Sequence, residues 1–155
     1  MAIDPWQPSR AARLIVEVIK EVDKAYVLGS EGPPEAHLHT WDCSELVQHG
    51  LAWAGVTQVT NDEGLITPVS KFDGAWFQWE RSRKIALDAG IKTPGALLFA
   101  KTNPDRPHGI GHVAISLGNG YIVEARGVQY GVVIGRVRPS FTLATKVPEL
   151  YCPAT

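Results

Sequence analysis

The chain has 155 residues, of which 45% are hydrophobic and 20% charged, enough for one domain with a full core and too short for a second of ordinary size. A net charge of −1 gives no electrostatic case for a nucleic-acid partner, and no apolar run reaches the length that membrane insertion needs. The opening Met1-Ala2-Ile3-Asp4-Pro5-Trp6 has neither the basic nor the apolar region of a Sec signal, so synthesis without Sec export is expected, and a monomer with no cofactor or metal.

In chain order, Ser9 reads as the cap of a first helix, with Ala12, Ile15, Val16, Ile19 and Val22 as its buried stripe and Arg13, Glu17, Lys20 and Lys24 in water. A loop follows over residues 26 to 41, rich in turn formers (Gly29, Ser30, Gly32, Pro33, Pro34) and carrying His37 and His39. Then Asp42 reads as an N-cap, with Leu46, Val47, Leu51 and Ala54 at helical spacing until Gly55. Cys43 therefore falls in the first turn of a helix, where unpaired N–H groups and the positive end of the helix dipole favour an anion such as a thiolate. Taken alone, Cys43 reads better as a small buried hydrophobe. A histidine and an orienting group would reverse that. Cys152 is the only possible disulfide partner, and since a bridge would consume the nucleophile, both thiols are expected free.

Residues 57 to 67 read as a polar connection. Phe72, Trp76, Phe77 and Trp79 lie in a helical segment with too many aromatics for one buried face, so part of it, Trp76 in particular, is a candidate groove wall. Gly90 and Pro94-Gly95 read as punctuation. From residue 96 the period becomes alternating, with strands expected over 96–100, 111–117, 121–126, 131–137 and 149–152. Helices first and strands afterwards give an α+β domain on a mainly antiparallel sheet of about five strands.

His112 opens one of these strands, and Glu124 lies on the next, across Gly118-Asn119-Gly120. If Leu117 pairs with Tyr121 over a three-residue loop, His112, Ala114, Glu124 and Arg126 share a face, and Glu124 is a diagonal neighbour of His112 at roughly 7 Å between backbones. A two-residue loop would send Glu124 to the opposite face. Each residue alone reads more simply, His112 as a strand end and Glu124 as a solvated carboxylate.

Together, Tyr26, Asp42-Cys43-Ser44, Pro94-Gly95-Ala96-Leu97-Leu98-Phe99, His112-Val113-Ala114-Ile115 and Gly118-Asn119-Gly120 resemble the NlpC family of papain-like cell-wall cysteine peptidases, over about residues 10 to 137. The resemblance implies a papain-like single domain with Cys43 as nucleophile, His112 as general base and acid, and Glu124 as the polar residue orienting the imidazole. It implies hydrolysis of an amide bond in peptidoglycan stem peptides, typically that between D-glutamate and meso-diaminopimelate. Tyr26, Asp42 and Ser44 would lie near the substrate, and Arg126 could bind a stem carboxylate. The chain departs from the family pattern at Glu45, where glycine is usual, and at Ala96, where aspartate is usual.

With no export signal in the sequence as written, a bacteriophage lysis or tail-associated enzyme is the expected setting, and an excised bacterial domain its rival. Two other function classes stay open: a zinc amidase using His37, His39, His108 and His112, and a non-catalytic wall-binding or tail structural module. The first lacks a carboxylate or cysteine at ligand spacing. The second fits poorly with an intact Cys43 and His112.

Overall fold

In a computed structural model of the protein, residues 9–26 and 40–151 are described, with only the backbone of Tyr26, Thr40 and Trp41. The expectations for residues 1–6, His37, His39 and Cys152, and for the Tyr26 side chain, lie outside the described residues. The first helix, α1 (Arg10–Ile19), is capped as expected, Ser9 Oγ accepting from the N–H of Ala12. Its buried stripe differs from the expected one: Ala11, Leu14 and Val18 face inward, while Val16 and Ile19 are exposed. The partner helix sets this phase. In α2 (Cys43–Trp53), Gly50 leaves room for Leu14 and Val18, and a Cβ there would stand 2.7 Å from Leu14 Cδ1 and from Val18 Cγ1. Burying such side chains is worth roughly 1.5–3 kcal/mol each, so the helix turns to the face that fits the gap.

The short strands β1 (Ala25–Tyr26) and β2 (Thr40–Trp41) pair in parallel just ahead of α2. The stretch expected as a plain connection contains a hairpin, β3 (Gln58–Thr60) with β4 (Ile66–Pro68). Helix α3 (Ala75–Glu80) carries the aromatic segment, and β5 (Arg83–Ile85) leads into α4 (Leu87–Lys92). Gly90 lies inside α4 rather than punctuating the chain, because the helix packs so closely on the sheet that a Cβ there would meet Ala144 Cβ at 2.5 Å.

The main sheet adds β6 (Leu97–Ala100), β7 (His112–Gly118), β8 (Tyr121–Ala125), β9 (Val132–Arg136) and β10 (Phe141–Lys146). Among the described residues it has six strands, in keeping with the expected sheet of about five, in the antiparallel order β5-β10-β6-β7-β8-β9. Of the strand expected over 149–152, the described residues 149–151 form none: residues 148–150 make a 3-10 turn, and β10 fills the sheet instead. Its polar residues disguised it. Thr145 is fully buried, and its hydroxyl oxygen accepts from Ser82 Oγ at 2.7 Å.

Both faces of the sheet are covered. Leu97, Phe99, Val113, Ile115 and Val123 join the core of α1 and α2, while Leu98, Ala100, Ala114 and Ile122 form a second cluster with Phe141, Ala144 and the α4 side chains Leu87 and Ile91. Alternation of side chains along each strand divides the sheet this way.

Candidate active site

Cys43 is the first residue of α2 and 8% exposed, with a free thiol. Asp42 fixes that helix start: its Oδ1 accepts from Glu45 N–H at 2.8 Å, and its carbonyl accepts from Leu46 N–H. From α3, the buried Gln78 donates through Nε2 to the carbonyls of Ser44 and Phe72, each at 3.0 Å, locking the turn to the preceding chain.

His112 opens β7, its side chain 13% exposed, and its Nε2 lies 3.2 Å from Oε1 of Glu124 on β8. The Cys43 thiol is the ring's other polar neighbour, and like Glu124 it favours the charged form of the imidazole. Burial alone would depress the imidazole pKa, yet the contacts with Cys43 and Glu124 outweigh it and hold the pKa at about 9.

The shared face of His112 and Glu124 arises by a route other than the expected loop. The turn has two residues, Asn119 and Gly120, both at positive φ, with Gly118 paired to Tyr121. Between Ser116 and Gly118 the register shifts by one residue, and beyond it Ser116 pairs with Ile122 and Ile115 with Val123. The even loop would have put Glu124 on the wrong face, and the bulge puts it back.

Glu124 is 1% exposed and tied on its far side to Arg138, which donates from Nη2 to Oε1 at 2.6 Å and from Nη1 to Oε2 at 3.0 Å. Burial would raise this carboxyl's pKa, but His112 and Arg138 more than offset it and hold it below the ordinary glutamate value. Sequence reading missed Arg138. It lies beyond β9, in the connection to β10, with no motif around it.

The other expected substrate-side residues are scattered. Ser44 is buried, its Oγ 3.2 Å from an oxygen of Asp42 and from one of Asp73. Trp76 is half-buried against the main core, edge-on to Phe77. Arg126 sits just past the end of β8, exposed, its guanidinium 4.2 Å from the centre of the Tyr130 ring. His108, one of the histidines of the zinc alternative, pairs with Glu80 at 2.8 Å and stacks near Trp79. Among the described residues no group of three or more His, Cys, Asp or Glu is placed to hold a metal ion.

Glu45, the departure from the family pattern, points into the protein at 2% exposure. Its Oε2 lies 3.4 Å from His49 Nε2, off the hydrogen-bonding direction. Burial raises its pKa to about 7, opposed by His49 and reinforced by Asp73 and Asp42.

Comparison with known proteins agrees with this geometry. A model of the NlpC/P60 family matches residues 23–146. The probable endopeptidase p60 of Listeria seeligeri is 31% identical over 124 residues, covering 79% of this chain and 19% of that protein, and its Listeria monocytogenes counterpart is matched at the same identity over 21% of its length. The chain thus spans about a fifth of these relatives. Among solved structures, the P60 domain of an antigen from M. avium subspecies paratuberculosis superposes with a TM-score of 0.64 at 26% identity, over 89% of this chain and 94% of that one. The peptidoglycan hydrolase RipB of Mycobacterium tuberculosis shares the fold, with a TM-score of 0.65 at 23% identity, over 89% of this chain and 64% of that one. A cysteine at a helix start, facing a histidine on an antiparallel sheet, thus coincides with a family match over most of the chain, which belongs to the NlpC/P60 family.

Proposed function

We propose that the protein is a cysteine peptidase that hydrolyses an amide bond in the stem peptides of bacterial peptidoglycan. The observation that carries this reading is the line of contacts from the Cys43 thiol through His112 to Glu124, at the start of a helix. Glu124 keeps the imidazole protonated and turned, so that Cys43 can stand as a thiolate beside an imidazolium. Sulfur attacks the scissile carbonyl. The oxyanion is met by N–H groups of the first turn of α2: those of Glu45 and Leu46 are taken by Asp42, which leaves those of Cys43 and Ser44. His112 then gives its proton to the leaving amine, and takes one back from the water that cleaves the thioester.

The resemblance to the NlpC peptidases supports a finer reading, in which the bond lies between D-glutamate and meso-diaminopimelate. The test is digestion of purified peptidoglycan followed by mass spectrometry of the released fragments. New termini at that bond, absent with Cys43→Ala, are expected. Termini at another stem bond would move the specificity, and turnover by a folded Cys43→Ala protein would overturn the mechanism. For the bacteriophage setting, lysis of intact cells on external addition is the expected behaviour, and activity confined to purified wall would count against it. A non-catalytic wall-binding module would bind the wall with no new termini.

A further inference from the structure

Arg138 reaches the catalytic histidine along two paths. The first runs through Glu124, both of whose oxygens it grips, at 2.6 and 3.0 Å, while His112 takes the longer 3.2 Å contact to Oε1. A two-pronged guanidinium contact fixes the plane of a carboxylate, which a single hydrogen bond to imidazole does not. The second path is apolar. The Arg138 guanidinium lies 5.0 Å from the centre of the Phe141 ring, and that ring packs against the His112 ring at 5.7 Å with a tilt of 48°. The Arg138 side chain is 30% exposed, so it is a wet residue holding a dry one. We infer that Arg138 is a positioning residue of this site, which sets the orientation of His112 by locking Glu124 and Phe141 and keeps the buried carboxylate charged.

This rests on the hydrolytic reading of Cys43, His112 and Glu124. Without Arg138, the imidazole is the one counter-charge left to the buried Glu124 among the described residues, and a buried carboxylate so weakly paired takes up a proton more readily. Once protonated it no longer stabilises the imidazolium. Both limbs of the activity profile then move inward, the acid limb because Glu124 neutralises sooner and the alkaline limb because His112 loses its proton sooner.

The test compares purified Arg138→Met, Arg138→Lys, Glu124→Gln and the double Glu124→Gln/Arg138→Met proteins on a soluble stem-peptide fragment, with Cys43→Ala as control. Arg138→Met should lower kcat by about tenfold or more with KM nearly unchanged, and narrow the pH profile. Arg138→Lys, keeping the charge but not the fork, should recover part of the loss. In the Glu124→Gln background, where no buried charge is orphaned, Arg138→Met should cost no more than about threefold. An unchanged profile in Arg138→Met, a raised KM at constant kcat, or the same loss in both backgrounds would each overturn the proposal. Should Arg138→Met fail to fold, Arg138→Lys decides, a wild-type profile in it counting against the proposal. Activity surviving in Cys43→Ala would instead overturn the hydrolytic reading itself.

Discussion

Two glutamates, one in the helix turn of Cys43 and one against His112, are each nearly inaccessible to solvent and each beside a histidine, yet their pKa values shift in opposite directions. Glu124 on the sheet meets His112 and the fork of Arg138, and its pKa falls. Glu45 in the first turn of α2 meets, among the described residues, only the partly exposed His49 as a counter-charge and has Asp73 and Asp42 for neighbours, and its pKa climbs to about 7. Burial pushes both the same way. The balance of neighbouring charge therefore decides which carboxylate serves as a fixed anion and which behaves as a neutral side chain around pH 6.

Breaking the anionic side of this comparison should have the largest effect. His112→Ala removes the group that Glu124 orients, and turnover should fall by about 10³-fold or more. In the intact protein activity should persist up to about pH 9, where the imidazole loses its proton, and decline above it. A profile in His112→Ala with the same alkaline limb as the intact protein would place the base elsewhere.

A smaller loss is expected at Glu124 itself. Glu124→Ala should cost roughly 10- to 100-fold in kcat, and Glu124→Gln less, because an amide oxygen can still accept from the imidazole. If alanine and glutamine are equally harmful, the charge matters and the hydrogen bond does not.

Glu45→Gln should act mainly on stability. The folded-state pKa of Glu45 is raised above its unfolded value of 4.5, so the folded protein binds more protons between about pH 4.5 and 7. The stability tied to neutral Glu45 is complete below 4.5 and is lost as pH rises through about 7. Glutamine stays neutral throughout. Unfolding free energies from urea titrations should match at pH 4 and differ at pH 8 in favour of Glu45→Gln, by about 2–3 kcal/mol. A difference independent of pH would mean that His49 keeps Glu45 charged in the folded state. Turnover at pH 6 should change little.

Much of this was legible in the sequence because it depends on local chemistry. Asp42 caps α2 and sets Cys43 at its start, a relation contained within four residues. The pairing of His112 with Glu124 was legible too, although by an odd loop that the protein does not have; the bulge before Gly118 restores the same parity by other means. What stayed hidden depends on partners distant in the chain. The phase of α1 follows from the missing side chain at Gly50, far along the chain from Leu14 and Val18, and Arg138 earns notice only when β9 has brought it back alongside Glu124. Strand β10 stayed hidden because Thr145 resembles a solvent-facing residue until Ser82 is found against it.

The hairpin before β8 also bears on which sequence changes this lineage can accept. Surface loops ordinarily gain and lose single residues at little cost. Here the bulge and the two-residue turn act together as a reading frame for the strand that follows. One residue deleted between Ser116 and Tyr121 would send Glu124 to the opposite side of the sheet and leave His112 without its carboxylate, while an insertion of two would keep the frame. Substitutions that the turn geometry allows should therefore drift freely in this loop, while its length should change only in steps of two.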